Sequence, residues 1–251
     1  MCASNPVTYF GKAIDCGSRV YAEETCLKPF VEIYDRAANR KGGEKELEKM
    51  IQLKLKTAKQ LAEIPDDRYL AEITRGVFNA GFVWKIIEHK WDGFESGFWK
   101  FNIMRCAYMS EEDIDRLCSD ERIVRNRQKI ITVRDNASMI FELSSKYGSF
   151  GKMVGDWPDD DYINLLALLK KRGSRLGGLT SQYVLRRLGK SGFVLSRDGT
   201  AALIDAGVID KFPTGKAALQ NVQQAYNQWM QESGLSMAQI SRVLSLSIDS
   251  V

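Results

Sequence analysis

Apolar residues recur at three- and four-residue steps along almost the whole chain, and the strict apolar–polar alternation of a half-buried strand is missing. The pattern predicts an all-α protein. Up to about residue 24 there is no strong signal. Pro29 then suits the first turn of a helix carrying Phe30, Ile33 and Tyr34, and Gly42 with Gly43 closes it. One charged helix is expected over about 44–63. Pro65, Asp66 and Asp67 supply a stop and a cap, opening a helix whose buried stripe is Leu70, Ile73, Val77 and Ala80. Ser110 with Asp113 reads as an acidic capping box, and a longer helix is expected over Arg127–Tyr147, ended by Gly148. Pro158 and the run Asp159–Asp161 place negative charge before another helix, the favourable end of its dipole. Pro213 and Thr214 set off a final helical pair, whose first member carries the stripe Val222, Ala225, Tyr226 and Trp229. The organisation expected is an N-terminal helical extension over 1–65, a helical core over 66–212 and a C-terminal pair over 213–251 that packs back on that core.

With 251 residues, 44% apolar and 27% charged, the chain can bury a substantial core, and disorder is excluded as a class. No apolar run reaches the roughly 20 residues needed to cross a bilayer. The five cysteines, Cys2, Cys16, Cys26, Cys106 and Cys118, are odd in number and scattered, which fits a reduced cytoplasm. The net charge of +4 is modest, so any strong field must be local.

One stretch is local in that sense. From Tyr162 to Arg197 the chain contains Lys170, Lys171, Arg172, Arg175, Arg186, Arg187, Lys190 and Arg197 without one Asp or Glu. Its middle, KKRGSRLGGLTSQYVLRR, reads as a glycine hairpin over 172–180 between two helices. Gly173, Gly177 and Gly178 permit close backbone approach, Thr180 suits the cap of the second helix, and Arg172 and Arg175 add charge. Backbone N–H groups at such a helix start can face a phosphate, so nucleic acid is the natural partner. A glycine turn between two core helices with a solvated basic face is the plainer explanation of the same residues. A second basic run, ERIVRNRQKIITVR, offers Arg125 and Arg127 as further backbone contacts or as an ordinary solvated helix face. Asp198 follows the hairpin glycines by some twenty residues and directly precedes another helix.

Hairpin and aspartate together resemble the helix-hairpin-helix DNA glycosylases. The segment FNAGFVWKIIEHKWDGFESGFWKF and the run DERIVRNRQKIITVRDNA narrow the resemblance to the DNA-3-methyladenine glycosylase I family, over roughly residues 66–200. The resemblance implies a two-lobed helical bundle that flips an alkylated purine out of duplex DNA and hydrolyses its N-glycosidic bond. It implies Trp84, with Phe78 and Asn79, as the base pocket and Phe82 as the wedge filling the gap in the duplex, and the likeness to the wider helix-hairpin-helix superfamily implies Asp198 as the catalytic carboxylate. Plain core packing for Trp84, Phe78 and Phe82, and helix capping for Asp198, explain the same residues without chemistry. Two departures stand out. The glutamate that reads the base in relatives, eight residues before the tryptophan, is Gly76 here, and Glu72 one turn earlier replaces it only in part. The relatives' zinc site of two Cys and two His cannot be built from a chain whose one histidine is His89. No metal or cofactor is therefore expected. The partner expected is duplex DNA with a damaged base, bound by a monomer away from any membrane. A non-catalytic DNA-binding relative, or a protein-interaction module built on the C-terminal pair, are the competing readings.

Overall fold

The computed structural model describes residues 27–249, and among these the regular elements are all helical. They are α1 (Phe30–Arg40), α2 (Glu44–Ile51), α3 (Ala58–Ala62), α4 (Asp66–Asn79), α5 (Trp84–His89), α6 (Trp91–Gly97), α7 (Ile103–Ala107), α8 (Glu111–Ser119), α9 (Arg127–Tyr147), α10 (Phe150–Asp156), α11 (Tyr162–Arg172), α12 (Leu179–Leu188), α13 (Arg197–Asp205), α14 (Lys216–Ser233) and α15 (Met237–Ser247). Cys2, Cys16 and Cys26 lie outside the described residues.

Caps set many of these boundaries. Ser110 and Asp113 form the reciprocal capping box of α8, Asn126 caps α9 by accepting from the Lys129 N–H, and Gly148 ends α9 with a φ of +92°. The charged segment 44–63 is not one helix. α2 stops at Ile51, the chain runs extended, and Thr57 with Gln60 forms a new capping box that starts α3. The cause is tertiary: the Lys56 N–H donates to the Gly189 carbonyl at 2.9 Å, and its ammonium to the Leu188 carbonyl, at the end of α12. α3 then packs on α10, inside the helical core.

The apolar core is continuous, and two clusters hold most of its aromatic side chains, with Tyr69 and Phe150 packed edge-on apart from them. One is a ladder in which Phe94, Phe98, Phe101 and Trp91 lie nearly parallel, with Phe78 edge-on to Phe94 at 4.7 Å. The other runs Tyr162, Phe193, Tyr226, Trp229 and Phe30, tying α11 to α14 and α1. α1 is thus no free extension. The Trp229 indole N–H donates to the Lys28 carbonyl at 3.1 Å, the Phe30 N–H donates to Glu232, and Asp205 at the end of α13 pairs with Lys28 and Arg36. Among the described residues, no helix is long and apolar enough to cross a membrane.

Candidate nucleic-acid interface and base cleft

α11 and α12 are joined by an outward turn over 173–178, with Leu176 its buried anchor. Two buried amides hold it. Asn136 on α9 accepts from the Ser174 N–H at 2.8 Å and donates to the Ser174 carbonyl at 3.1 Å, satisfying the turn as a neighbouring strand would. Gln182 on α12 donates to the Gly178 carbonyl at 3.1 Å and accepts from the Leu195 N–H at 2.7 Å. One side chain therefore spans from the turn to the segment that leads into α13. Gly178, at φ +58° and ψ −130°, occupies backbone space essentially closed to other residues. Arg175 is held at φ +60°, and its guanidinium donates to Gln128 on α9 at 2.7 Å.

Thr180 is not the cap. That place falls to Gly178, and Thr180 is the second residue of α12, its methyl turned toward α4. The basic stretch also divides. Arg186 is largely buried and donates to the Gly192 carbonyl, with desolvation lowering its pKa, and Lys190 is buried against Asp159. Arg172 pairs with Glu142, and Arg187 with Glu72. Lys170, Lys171, Arg175 and Arg197 remain exposed. In the second run Arg127 pairs with both Glu111 and Asp115, while Arg125 reaches outward beside Glu121.

Asp198 is half-buried in the first turn of α13, but Ser196 caps that helix by accepting from the Gly199 N–H at 3.1 Å. The capping explanation of Asp198 is thereby removed. Its carboxylate sits at the positive end of α13, two residues after the cap.

Phe82, in the loop after α4, and Trp84, the first residue of α5, are 42% and 59% exposed, so core packing does not account for either. Phe78 does lie in the core, fully buried against Phe94, and Asn79 at the end of α4 is half-buried. Sequence reasoning did not single out the residue that fixes this loop. Lys129 on α9 is buried, donates to the Phe78 carbonyl at 3.0 Å and the Ala80 carbonyl at 2.6 Å, and stands 4.4 Å from the Phe82 ring. Desolvation, then the nearby Arg175 charge, lower its pKa. Its cue was available in the sequence: a lysine in the first turn of a helix, where a cation is out of place. Lys129→Met should leave two carbonyls without a donor, costing about 1–3 kcal/mol. It should also speed amide exchange at Phe82 and Val83, and unchanged exchange there would show the loop to be held by other contacts.

α4 meets α12 at Gly76. A Cβ placed on Gly76 would lie 2.5 Å from Val184 Cγ2, 3.2 Å from an Arg187 nitrogen and 3.5 Å from Thr180 Cγ2. The space a longer side chain would need is filled by α12. One turn earlier Glu72, its side chain 15% exposed, pairs with Arg187 and with Arg75. These residues border a cleft of about 290 Å³ between α4, α6 and α12, whose walls also include Arg68, Trp91 and Glu95. His89 is exposed at the end of α5. Cys106 is buried and donates to the Phe98 carbonyl, and burial pushes its thiol pKa up to about 12. Among the described residues no group of three or more His, Cys, Asp and Glu could hold a metal ion.

An all-helical body presenting a glycine turn between two helices, with exposed lysine and arginine around it, defines a helix-hairpin-helix protein. The chain belongs to the methyladenine glycosylase family, whose model matches residues 62–195. It is 33% identical over 75 residues to DNA-3-methyladenine glycosylase 1 of Escherichia coli strain K12; the match covers 30% of this chain and 40% of that relative's length. Similar solved structures include a 3-methyladenine DNA glycosylase I at 26% identity, covering 51% of this chain and 80% of the other with a TM-score of 0.44. Another is the Staphylococcus aureus 3-methyladenine DNA glycosylase I, at 24% identity, 61% and 91% coverage and a TM-score of 0.47.

Proposed function

We propose that this protein is a monofunctional base-excision DNA glycosylase that removes an alkylated purine from duplex DNA. The observation that carries the reading is the outward glycine turn, tied through Gln182 to the segment that opens the Asp198 helix. The turn grips the sugar-phosphate backbone with its N–H groups and with Lys170, Lys171 and Arg175, contacts that carry no sequence information. Phe82, braced by Lys129, enters the stack and takes the place of the extruded nucleotide. Trp84, exposed two residues on, is available to the bases beside it.

A purine nucleotide alkylated at ring nitrogen N3 or N7 carries a cationic base, so cleavage of the bond from C1′ sends its electron pair to the base and neutralises it. No general acid is needed for that departure. The positive charge moves to the sugar, where the Asp198 carboxylate stabilises it and orients the water that adds to C1′. A DNA-binding relative that no longer cuts is the second reading, and the filled space at Gly76 favours it.

Incubation with methylated duplex DNA, followed by chromatography of the soluble fraction, separates the two. Free purine is expected, and DNA binding without any released base would leave the second reading standing. Binding to undamaged duplex should weaken steeply with salt, and Arg175→Ala should reduce the slope of log K against log salt by about 1. A slope near zero for the wild type would remove DNA as the partner.

A further inference from the structure

The cleft between α4, α6 and α12 already holds a planar cation, and that cation belongs to the protein. The Arg75 guanidinium lies 3.9 Å from the centre of the Trp91 ring and pairs with Glu72 at 3.2 Å. Its Nε is 3.2 Å from Glu88 but lacks the alignment of a hydrogen bond, leaving a buried donor unsatisfied. The indole cannot turn away. Its N–H donates to Glu95 at 3.1 Å, Arg68 grips Glu95 through two bonds of 2.8 and 3.1 Å, and the ring lies nearly parallel to Phe94 and Phe101.

We propose that Trp91, with Glu72, is the face that reads the extruded base, and that Arg75 occupies it as a stand-in which a cationic base displaces. The inference rests on the glycosylase reading and gives it a residue-level specificity. A flat cation over an aromatic ring beside a carboxylate is what an N-alkylated purine requires. Exchange of one cation for another keeps Glu72 between two positive charges, Arg187 on one side and the base in place of Arg75 on the other. A neutral base offers no such exchange: displacing Arg75 would strip Glu72 of one partner without supplying another. The cleft thereby selects for charge before shape. Glu72 does from the neighbouring turn what the closed space at Gly76 forbids a side chain there to do.

The test uses the full chain and two nucleosides, 7-methylguanosine in mildly acidic buffer, where it is a cation, and guanosine. Titration calorimetry should give at least about tenfold tighter binding of the methylated nucleoside. Arg75→Ala should tighten that binding severalfold, and Glu72→Gln and Trp91→Leu should each weaken it about tenfold. Thermal midpoints identify any variant that fails to fold, and the isosteric Glu72→Gln carries the test if Trp91→Leu does. Equal binding of the two nucleosides, no binding, or weaker binding by Arg75→Ala would overturn the proposal. The two readings fail separately. Base release unaffected by Glu72→Gln would sink this inference and keep the glycosylase, whereas charge-selective binding without base release would do the reverse.

Discussion

Asp198→Asn is expected to lower the rate of base release from alkylated duplex DNA by about 10²–10³-fold, the scale on which loss of one preorganised electrostatic group acts. The substitution keeps the shape of the side chain and removes its charge. Ser196 caps α13, so the cap survives the change. The interaction of the carboxylate with the helix dipole, about 0.3–1 kcal/mol, goes with the charge. Thermal stability and DNA affinity should therefore stay near those of the wild type while single-turnover release collapses. Equal release from both proteins would take Asp198 out of the mechanism and leave the hairpin reading intact.

Gly76→Glu is expected to destabilise the protein by more than about 3 kcal/mol, beyond the usual cost of overpacking a well-filled contact. Placing there the glutamate that the family resemblance implies should thus fail to open a pocket. The first added carbon already meets the stiff, β-branched Val184 at 2.5 Å, and the carboxylate would have to force α4 and α12 apart. A shift in the denaturant midpoint at unchanged slope measures the effect. Val184→Ala in the same chain should recover part of the loss, because the two positions touch and their effects cannot be independent. A Gly76→Glu protein as stable as the wild type would mean that α12 can retreat from α4 at little cost.

Much of the fold is written locally, and those parts are legible. α8 and α9 begin at side chains that cap them and end where glycine or an extended residue stops them, so composition within a few positions suffices. The break between α2 and α3 is different in kind. It depends on the Gly189 carbonyl, far along the chain, claiming the Lys56 N–H, and no pattern within 44–63 records that demand. The candidate site divides the same way. The hairpin and its glycines are visible as sequence, but charge is legible where direction is not: Arg186 and Lys190 belong to the basic stretch and point inward. Ser196 takes the cap because α13 begins one residue before Asp198, so the hydroxyl that meets the Gly199 N–H is the serine's. The Trp91 cleft left only a faint trace, the i,i+4 spacing of Trp91 and Glu95 and the i,i+3 spacing of Glu72 and Arg75. Nothing in either helix says that the two pairs face each other.

The clasp between Trp229 and Lys28 joins positions 201 apart in the chain. On the ribosome, α1 emerges before α14 and α15, and its contacts with them wait until those helices are synthesised. During that interval Phe30 and Ile33 are exposed to whatever meets them. The clasp is thus a long-range contact that can form only once α14 has been synthesised.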